Sequence, residues 1–420
     1  MARSKQYRSS DFARLAGMAG LFILLVMFGA TPAHSQTYTV LLYFFGEGRG
    51  APQTPLAGIT IDPEGNLYGT TAGLFGTVFE LRDVQSSWIF NVLTAMPVGG
   101  QDGNLPDSRA IRGPDGVLYS TTYQGGGGCD CGVVFKLQPP PTAPPSVLAP
   151  WTETVIHTFG GPDGAFPGYA DLVFDHQGKI YGTTTEGGEF GQGVVFELTP
   201  SNGAWTESVI YSFSGSADGG TPDAGVIFDS AGNLYGTTTA GGQYQGGTVF
   251  ELTPSGSGWT ETVLHSFQSS EGTSPFGGLI FDASGHLYGT TYSGGIGGYA
   301  GSVFELSPSN GGWAFSVLHL FDFSEREGAG PVAGVTMDAA GNLYGSTIGG
   351  GSYSDGTVYK LVYDGGAWTY QTLHDFYSTT GDSPFGGVTF DSQGNMYGTA
   401  DSGGHGACNT GCGVVWEITP

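Results

Sequence analysis

The sequence predicts an all-β chain folded as a seven-bladed β-propeller of four-stranded antiparallel blades, on three observations. A Tyr-Gly-Thr-Thr signature or a near copy begins at Tyr68, Tyr119, Tyr181, Tyr235, Tyr288, Tyr344 and Tyr397. Around each copy lie four short β-rich runs separated by turn residues. The last copy lacks its fourth run, and a matching run, Thr37 to Phe45, stands at the other end of the chain.

Successive signatures are 51, 62, 54, 53, 56 and 53 residues apart, a period that fits one blade each. The unit from Gly278 to Phe321 shows the order of its parts. Gly-Leu-Ile-Phe-Asp forms the innermost strand, and an Asp-x-x-Gly turn with glycine at positive φ leads into Leu-Tyr-Gly-Thr-Thr. A glycine-rich loop, the third strand Gly-Ser-Val-Phe-Glu-Leu and a Ser-Pro-Ser-Asn-Gly-Gly turn follow. Trp-Ala-Phe-Ser-Val-Leu-His-Leu-Phe is the outer strand. Runs such as Leu279-Ile280-Phe281 are apolar at successive positions, so both sheet faces are buried. A blade packed between two others does this, whereas a sandwich strand alternates apolar with polar. The outer run starts at Trp88, Trp151, Trp205, Trp259, Trp313 and Trp368, and after the seventh signature the chain reaches Pro420 just past Gly413 to Ile418. The Thr37–Phe45 strand is therefore expected to complete the last blade, pairing two edges that would otherwise stay open.

These units resemble the Gloeo/Verruco (GloVer-type) tandem repeat of secreted bacterial proteins. More distantly, the Phe-Asp-x-x-Gly-Asn-Leu-Tyr segment resembles NHL-type propeller repeats. The resemblance spans essentially all of the chain after Gln36 and implies architecture and an extracellular location; it brings no activity with it.

Composition agrees with a β fold. Glycine (77) and proline (23) make up nearly a quarter of the 420 residues, while charged residues are only 12% and aromatics 13%. The formal charge of −25 argues against nucleic acid as a partner, because phosphates are repelled at long range. Residues 1–35 read as a signal peptide: Arg3, Lys5, Arg8 and Arg14 precede the apolar run Leu15 to Ala30, and Ala33-His34-Ser35 suits cleavage after Ser35. That run is too short for a comfortable membrane span. Removing it takes four of the 12 basic and one of the 37 acidic residues, so the mature chain, 36–420, carries −28. A secreted, monomeric single propeller with no membrane span is expected.

Most recurring residues read as structural. The hairpin acids Asp62, Asp175, Asp229, Asp282, Asp338 and Asp391 (Gly113 in blade two) offer one carboxylate per turn, too few for a calcium loop. His157, His265, His319 and His374 share one outer-strand position that Tyr43 and Tyr211 fill elsewhere, which favours packing over metal binding. Neither a phosphate loop nor a Gly-x-Ser-x-Gly or His-Glu-x-x-His motif is present. Catalytic, metal and cofactor sites are thus expected to be absent. In an exported chain Cys408 pairs with Cys412, and Cys129 with Cys131 is the other candidate disulfide; zinc on these cysteines is the alternative, although no Cys-x-x-Cys pair exists.

Binding residues are sought in the loops. The insert 138–150 in blade two, Gln138-Pro-Pro-Pro-Thr-Ala-Pro-Pro and beyond, reads as a stiff polyproline arm. On the opposite face the loops vary and carry Phe190, Tyr244, Tyr299 and Tyr353. The innermost strand opens with Gly58, Gly225, Gly278, Gly334 and Gly387 in five blades, but with Arg109 and Asp171 in blades two and three. The pair is expected at the channel mouth, either as an interblade ion pair or as a polar anchor for a ligand. The function expected is a binding or interaction scaffold for extracellular glycans or surface proteins. Competing classes are a propeller enzyme of the metal-dependent lactonase or lyase type and a structural envelope component. Five glycines at the channel mouth count against the enzyme.

Overall fold

The computed structural model describes residues 36–46, 52–73, 75–85, 87–97, 100–140, 151–256, 258–298 and 300–420. Residues 1–35, on which the expected signal peptide falls, most of the proline-rich insert and Tyr299 lie outside the described residues. The strands form seven four-stranded antiparallel sheets, one per repeat, with a short ribbon of Gly328–Ala329 against Gly349–Gly350 beside blade six. Blade four is representative: Ile227–Phe228, Leu234–Thr238, Thr248–Ser255 and Gly258–Ser266, paired in that order.

Each signature residue has a packing reason. Gly236 faces Phe250 across the strand pair, and a Cβ on it would meet the Phe250 ring at 2.6 Å. The first threonine ties its blade to the next: Thr183 Oγ1 donates to the Ala224 carbonyl at 2.8 Å, and Thr290 Oγ1 to that of Ala333 at 2.9 Å. The tyrosine hydroxyl returns to the hairpin, as Tyr344 Oη does to Asp338 Oδ2 at 2.9 Å. Asp338 Oδ1 also accepts from the Ala340 and Asn342 amides, both at 2.9 Å, so the hairpin acids hold turn amides. In blade two, where Gly113 stands, Asp115 takes the tyrosine bond instead.

The core lies between blades. Between blades three and four, Tyr181, Val195 and Phe213 pack against Val226, Leu234, Phe250 and Leu252. The ring closes in the same way. Thr37–Tyr43 pairs antiparallel with Val414–Thr419 as the outer strand of blade seven. Phe44 and Val415 pack on Ile59, Phe79 and Leu81 of blade one, and Thr399 Oγ1 donates across that seam to the Ala57 carbonyl at 2.8 Å. Among the described residues, no helix is long and apolar enough to cross a membrane.

Candidate binding site at the channel mouth

The loops between blades and the loops after the second strands share one face, where bridges such as Gly220↔Ala240, Thr273↔Ser293 and Asp382↔Ser402 join them. At the centre of that face a cavity of about 210 Å³ opens into the channel. Glycines Gly58, Gly278, Gly334 and Gly387 line it, and at Gly334 neighbouring inner strands approach so closely that a Cβ would strike the Gly278 carbonyl.

Arg109 and Asp171 both line this cavity, and Arg109 Nη2 lies 2.6 Å from Asp171 Oδ2. The two side chains remain 35% and 40% exposed, so the pair contributes only about 0–1 kcal/mol to folding. Arg109 Nε is buried without a hydrogen-bond partner among the described residues.

Sequence reasoning missed the residues beside them. Asp107 lines the same cavity at 5% exposure, and its Oδ1 has no hydrogen-bond partner among the described residues. Burial pushes its carboxyl up to about 8, against the pull of the Asp107 and Tyr169 backbone amides. Asp223, also near Tyr169, is raised to about 6 by burial, although Thr239 Oγ1 donates to its Oδ2 at 2.8 Å. Tyr169 itself takes a left-handed backbone (φ 46°) that costs a tyrosine about 1 kcal/mol. That bend carries its ring from blade three to Phe276 of blade five (centroids 5.6 Å apart) and Phe385 of blade seven (5.4 Å), across the mouth. The signal was present in the sequence. These residues follow the interblade prolines Pro106, Pro222, Pro275 and Pro384, and blade three has one extra residue after Pro167.

Of the predicted aromatics, Phe190, Tyr244 and Tyr353 share the face but not this site, and Tyr299 lies outside the described residues. The loop of Phe190 reaches the outer strand of blade three, with Glu189 N donating to Ser212 Oγ at 3.4 Å. Gln243 N donates to Ser266 Oγ at 3.3 Å, which holds Tyr244 over an open rim depression lined by His265, Gln268 and Glu271. Tyr353 meets Tyr377 at the rim of blade six (centroids 5.4 Å apart). Phe190, Tyr244 and Tyr353 are more than half exposed. Both cysteine pairs are joined, Cys129 to Cys131 and Cys408 to Cys412, each with Cα atoms 5.2 Å apart. The Cys408–Cys412 bridge packs beside Phe44 at the end of the closing strand.

Fold and sequence together define the class, a tandem-repeat β-propeller with an acidic, aromatic-roofed channel mouth. The Gloeobacter/Verrucomicrobia repeat matches residues 24–207, 147–336 and 298–420, and the chain belongs to that repeat family. No curated protein matches it in sequence. Among solved structures it is similar to the extracellular domain of a B. thetaiotaomicron protein, with a TM-score of 0.53 and 11% identity over 91% of this chain and 40% of that one. It is also similar to PorZ, a bacterial surface component of the type-IX secretion system of Porphyromonas gingivalis (0.50, 12%, 88% and 47%). A third is a gluconolactonase from Xanthomonas campestris (0.45, 12%, 91% and 89%). At these identities the likeness shows the fold alone.

Proposed function

We propose that the chain is exported, cleaved after Ser35, and works as an extracellular binding scaffold that holds the end of a neutral glycan at the channel mouth. One observation carries this reading: the buried Asp107 carboxyl, with an unpartnered oxygen, lines a cavity beside Arg109 and Asp171. A carboxyl that stays protonated up to about pH 8 offers a donor and an acceptor together, as a sugar hydroxyl requires. Tyr169, Phe276 and Phe385 supply apolar ring faces for the other side of a sugar. The acidic surroundings and the charge of −28 left after cleavage disfavour phosphate-bearing ligands. The two disulfides suit an oxidising compartment. The exposed rim aromatics Phe190, Tyr244 and Tyr353 then form a second, outer surface for protein contacts.

A glycan array followed by calorimetry on the strongest neutral hit tests the reading. Asp107→Ala and Arg109→Ala should each weaken that hit at least tenfold, while Tyr244→Ala leaves it unchanged. A preparation that binds no glycan, or binds one with unaltered affinity in both channel variants, refutes it. N-terminal sequencing of the exported protein, expected to begin at Gln36, tests the export step separately.

A further inference from the structure

The outer strands carry one side chain at an equivalent position in each blade, several of which meet the next blade, and one seam differs in chemistry. At three seams the residue across is an aromatic ring. His265 stacks on Phe315 of the following blade (centroids 3.8 Å apart), His319 on Tyr370 (4.8 Å) and His374 on Tyr38 (3.7 Å). Between blades one and two, Thr94 Oγ1 donates to Glu153 Oε2 at 2.8 Å. In blade three Tyr211 takes the histidine's place and its Oη donates to Asp218 Oδ2, in the loop that follows its own strand, at 3.2 Å. His265 and His319 also pair with loop carboxylates, Glu271 and Glu327, both at 2.9 Å, but among the described residues only between blades two and three does a carboxylate from the next blade join the imidazole and the loop carboxylate. There His157 Nε2 lies 3.1 Å from Asp163 Oδ2, and one ligand atom each of His157, Asp163 and Glu207 lie within 4.8 Å of one another.

We propose that this seam is a binding site for a zinc-class transition-metal ion, held by His157, Asp163 and Glu207. The three groups are already positioned. Asp163 Oδ1 is engaged by the Gly160 amide at 2.8 Å, which leaves Oδ2 toward His157. The turn that carries Asp163 is closed by reciprocal Gly161 and Gly164 backbone bonds, both 3.1 Å. The edge of Phe159 packs on the His157 ring (centroids 4.6 Å apart). Glu207 Oε1 is buried with no hydrogen-bond partner among the described residues, as are Oε1 of the equivalent Glu153 and Glu261, but of the three only Glu207 converges on an imidazole and a second carboxylate. Among the described residues this is the one group of three such side chains that converges closely enough to share an ion. One imidazole nitrogen with two carboxylates suits Zn²⁺ and its first-row neighbours, whereas Ca²⁺ and Mg²⁺ prefer oxygen alone. An ion here would join the outer strand of blade two, the loop that follows it and the outer strand of blade three.

Calorimetry with ZnCl₂ on the protein stripped by chelator, with metal analysis after dialysis, should show one zinc per chain. Zinc should raise Tm by about 2 °C or more at saturation. Glu207→Gln should weaken zinc binding at least tenfold and abolish the Tm rise, while its Tm in chelator stays close to that of the parent. His157→Phe, which places at this position an aromatic of the kind Tyr211 supplies in blade three, should do the same. Glu261→Gln, the equivalent change one seam on, should bind zinc like the parent. The proposal is overturned if the parent takes up no stoichiometric zinc, if Glu207→Gln binds it equally well, or if CaCl₂ binds as tightly as ZnCl₂.

Discussion

Replacing Tyr38 by alanine should loosen the ring at its closure. Tyr38 sits on the N-terminal strand, and its ring stacks on His374 of blade six at 3.7 Å with an interplanar angle of 1°. Phe376 meets it edge-on at 5.9 Å, and its hydroxyl donates to the Thr380 carbonyl at 2.5 Å. Losing the stack costs about 1 kcal/mol. The hydrogen bond contributes about another 1 kcal/mol, and the apolar area of a partly buried ring about 1–2 kcal/mol. The expected destabilisation is about 3 kcal/mol, more than a hundredfold in the folding equilibrium. Tyr363→Ala serves as the control, because that ring is 55% exposed and its loss should cost less than about 1 kcal/mol. Urea denaturation followed by tryptophan fluorescence reads both. Deleting Thr37–Tyr43 altogether uncovers the Val414–Thr419 edge and should produce aggregation or loss of cooperative unfolding. Equal midpoints for Tyr38→Ala and Tyr363→Ala, or a truncated chain that melts like the parent, would refute the closure argument.

Asp107 should make stability fall as pH rises. The folded state keeps its proton up to about pH 8, while the unfolded chain releases it near pH 4, so the folded state binds more protons in between. The slope from this group is up to about 1.4 kcal/mol per pH unit between those limits. Asp107→Asn should flatten the stability profile measured from pH 4 to 9; an unchanged profile would show that this carboxyl does not titrate there. Thr183→Val removes the interblade bond to Ala224 and leaves a buried carbonyl, so it should lower stability by about 1–2 kcal/mol in the same denaturation assay. Mass spectrometry of non-reduced peptides should find Cys408 linked to Cys412 and Cys129 linked to Cys131, and free thiols in exported protein would contradict both pairings.

The propeller was legible because each blade repeats one local solution to the same packing problem. A glycine under an aromatic, a threonine bonded to the next blade and an Asp-x-x-Gly hairpin must recur wherever the blade recurs, so their spacing reports blade number directly. The closing strand was legible for the same reason, as a missing run at one end and a spare run at the other. Departures from the repeat were legible too, which is how Arg109 and Asp171 were found facing each other. Tyr169 was not, because a single extra residue after Pro167 does not say where a ring will swing. Only the assembled ring shows that it crosses to Phe276 and Phe385, more than a hundred residues away in the chain. Asp107 was hidden because its burial comes from several blades at once. The histidine column was read as packing from its tyrosine substitutes, and His265, His319 and His374 stack on Phe315, Tyr370 and Tyr38 of the next blade. What stands across a seam depends on two repeats in combination, so no single unit reveals that His157 faces Glu207. Sequence alone therefore determined everything that a blade does for itself: strand order, turn type and the number of repeats. The channel mouth and the seams were decided only in three dimensions, because burial and the convergence of charges there are properties of neighbouring blades together.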